Sequence, residues 1–166
     1  MAVTLSIADP DAMARLGAVL AGELRAGDTV LLTGELGAGK TTLTRGLGAA
    51  LGVRGAVTSP TFVLARTHPR VAGPSLVHVD AYRLRDAAEL DDLDLDFAGS
   101  IVVVEWGAGL LEHLVDEWLA ITIERPTGGT GATGDGDDAP IEPRTVTIEG
   151  VGARWADLGW LHAARD

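Results

Sequence analysis

The segment with the clearest chemical signature is residues 34–41, whose letters read GELGAGKT. It fits the pattern G-x-x-x-x-G-K-[ST] at every fixed position, which is typical of loops that bind nucleotide phosphates. In such a loop the main-chain N–H groups converge on phosphate oxygens, and glycines allow that close approach. The pattern predicts nucleotide contacts by a continuous stretch of residues: Gly34, Glu35, Leu36, Gly37, Ala38, Gly39, Lys40, Thr41 and Thr42.

Three side chains at the end of this loop have predicted roles of their own. Lys40 would reach the β- and γ-phosphates, the Thr41 hydroxyl would ligate Mg²⁺, and Thr42 would add a contact to the α-phosphate. Lys40 is also the only lysine among the 13 Lys and Arg residues of the chain. This position needs a compact ammonium, which a guanidinium replaces poorly, so the composition supports a phosphate site.

The elements on either side of the loop support this interpretation. Residues 29–33, TVLLT, are typical of a buried strand, and Leu43, Leu47 and Leu51 recur at helical spacing before Gly52. A loop that follows a buried strand and opens a helix has the context that phosphate binding requires. The partial positive charge of the helix N-terminus would face the same anion.

Two further strands end in acids that can face the loop. Residues 101–105, IVVVE, end in Glu105, and residues 76–80, LVHVD, end in Asp80. Ligands of α/β proteins bind at the carboxyl edge of the sheet, so both acids are predicted to hold Mg²⁺ or to polarise an attacking water. The alternative for either acid is a solvated residue at a strand end.

Thr61, within Ser59-Pro60-Thr61-Phe62, is a further candidate, because a threonine after the loop helix can sense a γ-phosphate and Mg²⁺. Its alternative role is to begin a strand after a turn. His68 and His78 have no second His or Cys at ligand spacing and are interpreted as structural. The acids between residues 86 and 96 form a solvated helix face or, alternatively, a docking surface.

The remaining pattern predicts one α/β domain over residues 1–166, in three layers and with a mixed, partly antiparallel sheet. Residues 3–7, 119–124 and 145–149 are predicted strands, and strands 62–67 and 76–80 form a predicted hairpin. Residues 10–24 are a predicted helix, and a capping pair, Asp86 and Glu89, precedes Leu90, Leu93 and Phe97. Residues 126–140, acidic and rich in glycine, are predicted to be a mobile, solvated loop.

Composition excludes several functions. The net charge of −11 and the pI of about 4.6 would repel a phosphate backbone, and 4% aromatic residues are too few for a base-stacking platform, so direct binding to DNA or tRNA is not expected. The absence of cysteine excludes disulfides and thiolate chemistry. Neither a membrane span nor a secretory signal is evident, so no membrane partner and a cytoplasmic location are expected.

Several classes of nucleotide-binding protein do not fit. A GTPase reads guanine with an Asn-Lys-x-Asp segment, whereas this chain has no asparagine and no second lysine. ABC and AAA+ ATPases are longer and carry further signature elements. A small-molecule kinase fits the length, although such kinases usually close an arginine-rich lid and the only lid-sized segment here is acidic.

Four motifs in this order resemble the TsaE (YjeE) family, the bacterial ATPases of tRNA threonylcarbamoyladenosine synthesis: GELGAGKTT (34–42), SPTF (59–62), HVDAYRL (78–84) and VVVEWG (102–107). The resemblance covers about residues 5–125. It implies a P-loop NTPase fold with a mixed sheet, ATP with ADP as product, and Mg²⁺ held by Thr41 and Glu105. Asp80 and Thr61 would also be functional, and Trp106 and Arg83 match the family as well.

The resemblance also implies partners. The family works with TsaB and TsaD, which transfer threonylcarbamoyl to adenosine 37 of tRNA, so tRNA would be met only through that pair. In the C-terminal part, where the acidic loop is unusual for the family, Arg144 is a candidate nucleotide contact. Two hypotheses remain beside an ATPase that drives this complex: a small-molecule kinase, and a nucleotide-sensing module without turnover.

Overall fold

Seven strands and three α-helices make up the part of the chain that the computed structural model describes, namely residues 2–35, 37–55, 57, 65–70, 72–125 and 142–164. Three short 3₁₀ turns, Leu111–His113, Ala153–Trp155 and Gly159–Ala164, complete the set. The strands and helices are β1 (Ala2–Ile7), α1 (Pro10–Glu23), β2 (Thr29–Gly34), α2 (Lys40–Leu51), β3 (Ala65–His68), β4 (Leu76–Asp80), α3 (Ala87–Asp91), β5 (Ile101–Glu105), β6 (Trp118–Glu124) and β7 (Arg144–Val151).

All seven strands join one mixed sheet in the order β1-β7-β6-β2-β5-β4-β3. The four central strands β6, β2, β5 and β4 pair in parallel, whereas β7 pairs antiparallel with both β6 and β1, and β3 pairs antiparallel with β4. The predicted mixed sheet and the β3–β4 hairpin are therefore confirmed. Because β7 runs against its neighbours, its first residue lies at the edge where the parallel strands end.

The helix boundaries follow capping chemistry. Asp9 caps α1, since its carboxylate accepts a hydrogen bond from the N–H of Ala12 at 2.8 Å, and Pro10 occupies the first helical position. Gly52, with φ of 75°, ends α2 in the left-handed conformation that glycine adopts without strain. Among the helices that the structure describes, none has the length and apolar character needed to cross a membrane.

Two apolar clusters cover the two faces of the sheet. The larger one lies between the sheet and the helices α1 and α2, and it includes Leu16, Leu43, Val103 and Ile121. The second cluster lies on the other face, where α3 and irregular segments supply Leu90 and Leu111 against buried positions such as Val102. The expected third layer is thus present, but short turns rather than long helices form it.

The second face differs from its sequence pattern in one respect. Asp86 caps α3 as predicted, by accepting from the N–H of Glu89 at 3.0 Å, but the helix ends at Asp91, before Leu93 and Phe97. Asp94 adopts a left-handed φ of 53°, which no α-helix can contain. Leu93 and Phe97 still pack against the cluster, because successive turns bring them there without helical geometry.

Two predicted segments reach beyond the described residues. The strand predicted at 62–67 is found as Ala65–His68, and residues 62–64 of the prediction lie outside the described residues. The loop predicted at 126–140 lies entirely outside it.

Glycines let α1 and α2 approach each other closely. A Cβ built at Gly17 of α1 would lie 2.5 Å from the main-chain nitrogen of Leu47, and one at Gly46 of α2 would meet the main chain of Ala14. Real Cβ atoms essentially never come this close to main-chain atoms, so neither position accepts a side chain without moving a helix. The contact holds α2, which begins at the phosphate-loop motif, against a second helix.

This packing predicts opposite effects for two glycines of the same helix. Gly17→Ala should lower the free energy of unfolding by about 1–3 kcal/mol, because the added methyl group overpacks the α1–α2 contact. Gly22→Ala should raise it by about 0.5–1 kcal/mol, since no atom of the described residues lies within 4 Å of its Cβ position and alanine favours helix. Urea denaturation of both variants checks this, and equal effects would contradict the close contact.

Candidate functional site

The motif loop begins with Gly34, the last residue of β2, and leads into α2. Gly37 and Gly39 have φ of 80° and 121°, values that strain any residue with a side chain, and the N–H of Ala38 donates to the carbonyl of Glu35 at 3.0 Å. Among the described residues, no side chain caps the N-terminus of α2 at Gly39. The first turn of α2 therefore presents N–H groups that have no partner within the helix, as an anion site requires.

The ammonium of Lys40 lies inside this loop. It donates to the carbonyl oxygens of Gly34 and Glu35, the latter at 3.1 Å, and it lies 4.6 Å from the centroid of the Trp106 ring. Burial lowers the pKa of Lys40, while the nearby carboxylates of Glu105 and Asp80 act to raise it. A partly desolvated cation thus lies near two acids at the start of α2.

Glu105 and Asp80 end two neighbouring parallel strands and are partners in register. Glu105 is also the partner of Leu32 in β2, two residues before the motif loop begins at Gly34. Glu105 is 4% exposed, whereas Asp80 is half-buried and its carboxylate accepts from the N–H of Tyr82 at 3.0 Å. Because residues paired in register point to the same face, both carboxylates project towards the layer that contains α2.

An aromatic pair lies next to these acids. Trp106 is 36% exposed and has a left-handed φ of 62°, an outlier for a bulky residue. Its ring meets that of Tyr82 edge to face, with 5.4 Å between centroids, and Tyr82 is 70% exposed. Strained residues of this kind cluster at functional sites, and this one covers the ammonium of Lys40.

His78 is fully buried beside Glu105, with its Nε2 3.3 Å from a carboxylate oxygen. Among the described residues neither ring nitrogen of His78 has a hydrogen bond, so proximity here does not amount to a bonded pair. The sequence pattern indicated only a structural role for His78. Its contact with Glu105 depends on alternation along β4 and on the pairing of β4 with β5, which no local motif reveals.

Two arginines approach the loop from strands distant in sequence. Arg144, the first residue of β7, donates from Nε to the carbonyl of Ala38 at 3.1 Å. Arg125, which follows β6, places Nη1 4.0 Å from the position that a Cβ on Gly37 would occupy. Arg125 escaped the sequence prediction because it belongs to no motif and reaches the loop only through the pairing of β6 with β2.

The structure brings most of the predicted site residues to one edge of the sheet. The loop residues, Lys40, Glu105 and Asp80 lie where β2, β5 and β4 end, and Thr41 and Thr42 are half-buried in the first turn of α2. Leu36 and Thr61 lie outside the described residues. Within the described ranges, no three His, Asp or Glu side chains are grouped closely enough to hold a metal ion by themselves.

Comparison with known proteins identifies the family. A family model described as "Threonylcarbamoyl adenosine biosynthesis protein TsaE" matches residues 7–131. The chain belongs to the TsaE family. The matched residues include the motif loop, Asp80 and Glu105 of this TsaE family member, whereas Arg144 lies beyond them.

Curated TsaE proteins and a solved structure agree with this assignment. The chain is 58% identical over 148 residues to the tRNA threonylcarbamoyladenosine biosynthesis protein TsaE of Streptomyces coelicolor, covering 87% of this chain and 94% of the relative. It is 37% identical over 156 residues to the Bacillus subtilis protein of the same name, covering 93% and 88%. The crystal structure of Bacillus subtilis YdiB superposes with a TM-score of 0.69 at 29% identity, covering 93% of this chain and 89% of YdiB.

A second buried imidazole gives this TsaE chain a testable pH dependence. His68 lies in β3 on the same face as His78, and its pKa is lowered by burial first and then by His78 and Arg66. The unfolded chain therefore binds a proton at a pH where folded His68 does not, so stability falls as the pH drops below about 6.5. Urea denaturation at about pH 5.5 and 7.5 should show a smaller pH dependence for His68→Gln than for wild type. An equal dependence in both would contradict it.

Proposed function

We propose that this TsaE chain binds ATP with Mg²⁺ and hydrolyses it, acting in the cytoplasm on a TsaB–TsaD pair that modifies adenosine 37 of tRNA. The observation that carries the proposal is the convergence of the motif loop, Lys40, Glu105 and Asp80 at one sheet edge. The family assignment supplies the biosynthetic context, since the relatives are named for tRNA threonylcarbamoyladenosine biosynthesis.

A chain of phosphates fits the loop on two counts. Gly37 and Gly39 hold conformations in which successive N–H groups can face one anion, and the uncapped start of α2 adds its own N–H groups. The ammonium of Lys40 now donates to loop carbonyls and is partly desolvated, so phosphate oxygens would provide it with stronger, charged acceptors.

The donors that would hold Mg²⁺ are the Thr41 hydroxyl and the carboxylates of Glu105 and Asp80. Mg²⁺ in such proteins is usually held by one or two carboxylates together with phosphate oxygens and waters, which suits a site without three clustered acids among the described residues. Held by these residues, Mg²⁺ would supply positive charge that offsets the negative charge developing on the phosphates.

The two acids have different surroundings and therefore different roles. Glu105 is buried on the face shared with α2, where reduced screening strengthens its interaction with nearby charges. Asp80 is more exposed and already accepts from Tyr82, so it is suited to orienting water at the open side of the site. Both acids also favour the charged form of Lys40.

Partner contact is proposed to take place through protein rather than RNA. A net charge of −11 disfavours a phosphate backbone, so TsaB–TsaD would carry the tRNA. The exposed pair Tyr82 and Trp106 borders the site, and Trp106 contacts Lys40, so a partner bound there would be sensitive to the nucleotide. Thr61, by its motif, would respond to the γ-phosphate.

Nucleotide binding and turnover can be separated by substitution. Lys40→Ala should weaken ATP binding at least about tenfold with little change in fold, because it removes the cation of the loop. Glu105→Gln and Asp80→Asn should retain binding and lower turnover about 100-fold, because each removes one negative charge and preserves shape. Isothermal titration with Mg-ATP and a phosphate-release assay with the partners present measure both quantities.

Glu124 provides a matched control for these acids. It ends β6, the parallel neighbour of β2 on the other side, and it is exposed. Glu124→Gln should leave both binding and turnover unchanged.

Normal ATP affinity in Lys40→Ala would refute the phosphate site, and a phosphorylated small molecule in place of free phosphate would identify a kinase instead.

The partner assignment has its own test. Size-exclusion chromatography of this chain with TsaB and TsaD should show a complex when ATP or a slowly hydrolysed analogue is present, and tRNA should not bind the isolated chain at physiological salt. Trp106→Ala and Thr61→Ala should weaken that complex more than they weaken ATP binding. Direct tRNA binding, or no association with TsaB–TsaD in the presence of ATP, would contradict this part of the proposal.

A further inference from the structure

Arg144 ties the last strand of the sheet to the phosphate-loop motif. Its Nε donates to the carbonyl of Ala38 at 3.1 Å, and its Nη1 donates to the carbonyl of Glu142 at 2.9 Å. The Glu142 carboxylate lies 4.0 Å from the same Nη1. These contacts fix the plane of a half-buried guanidinium against a loop that lies 106 residues earlier in the chain.

The topology explains why an arginine at this position reaches the loop. β7 is antiparallel to β6, so β7 begins at the edge where β6 and β2 end. Arg144 is the first residue of β7 and the register partner of Ile7, the last residue of β1. The contact with Ala38 therefore depends on strand order.

The carbonyl that Arg144 holds belongs to the peptide group between Ala38 and Gly39. In a trans peptide the C=O and the N–H point in opposite directions, so a donor fixed on the Ala38 oxygen directs the Gly39 N–H away from Arg144. Gly39 needs this restraint, because its φ of 121° lies in a region where glycine moves freely. The N–H of Gly39 immediately precedes the uncapped first turn of α2.

We infer that Arg144 is a positioning residue for phosphate binding: its guanidinium sets the Ala38–Gly39 peptide so that the loop N–H groups face the anion. The inference rests on the proposed function, since it concerns how the same loop binds phosphates. This positioning depends on the geometry of the Arg144 hydrogen bonds rather than on the charge of the guanidinium. A lysine at this position would carry its N–H donors on a single nitrogen and would lack the planar fork with which arginine donates to both carbonyls from different nitrogens.

Arg154 provides a matched control. Its side chain is as exposed as that of Arg144, and it donates to the carbonyl of Glu23 at 2.7 Å and to the Asp28 carboxylate at 3.0 and 3.2 Å. Asp28 precedes β2, so Arg154 lies at the opposite end of that strand from the motif loop. Losing its hydrogen bonds should change stability without changing the loop.

The experiment compares Arg144→Ala, Arg144→Lys and Arg154→Lys with wild type, by isothermal titration with Mg-ATP, Mg-ADP and pyrophosphate and by thermal unfolding. Arg144→Ala should weaken all three ligands by a similar factor of about ten, and Arg144→Lys should recover little of that loss. Arg154→Lys should lower the melting temperature and leave all three affinities unchanged. Arg144→Lys also answers the question if Arg144→Ala does not fold.

Four results would overturn the inference. Wild-type affinity in both Arg144 variants would show that the contact is only structural, and full recovery in Arg144→Lys would show that charge alone suffices. Loss of ATP and ADP affinity with pyrophosphate binding intact would place Arg144 on the nucleoside instead. An equal loss in Arg154→Lys would indicate general destabilisation. A wild-type chain that binds none of the three ligands would refute the proposed function itself, which separates that failure from the others.

Discussion

The parallel pairing of β2, β5 and β4 is the constraint on which the rest of the site depends. Parallel strands end at the same edge, so the loop after β2 and the acids that end β5 and β4 meet there. The strand pairing brings them together, and no short sequence motif has to encode their contact. The register places Glu105 opposite both Leu32 and Asp80. A slip of one residue in either pairing would turn a carboxylate to the other face of the sheet and separate it from Lys40.

Burying these polar groups works against stability, and the surroundings offset part of that cost. Lys40 loses hydration, but it gains two carbonyl acceptors, an aromatic face and the field of two carboxylates. Fully buried His78 gains no hydrogen bond among the described residues. Its two ring nitrogens are buried polar atoms without a partner there, next to Glu105. The large apolar cluster between the sheet and the helices α1 and α2 contributes the favourable free energy of folding that allows such polar groups at its margin.

Local sequence signals were sufficient for the elements that carry their own chemistry. The glycines and Lys40 define the loop, Asp9 and Pro10 define the start of α1, and four apolar residues before Glu105 define a buried strand. The extent of α3 could not be predicted this way, because Leu93 and Phe97 keep helical spacing while the chain follows tight turns. Both side chains pack against the second apolar cluster, and either a helix or a series of turns could place them there.

Contacts between distant strands were beyond the reach of local patterns. The approach of Arg144 to Ala38, and of His78 to Glu105, follows from strand order and register, and a single sequence does not contain that order. Trp106 could be singled out by its motif, but its left-handed backbone and its position over Lys40 could not be foreseen, since neither has a signature in residue type.

The left-handed backbone of Trp106 is strained at a residue whose ring lies in the candidate site. A left-handed conformation costs a bulky residue about 1 kcal/mol or more, and glycine would adopt it freely. Glycine at this position would also remove the ring that covers the Lys40 ammonium and the edge that meets Tyr82. The tryptophan therefore combines a strained backbone with an aromatic surface beside the lysine, and a residue without a ring could relieve the strain only by giving up that surface.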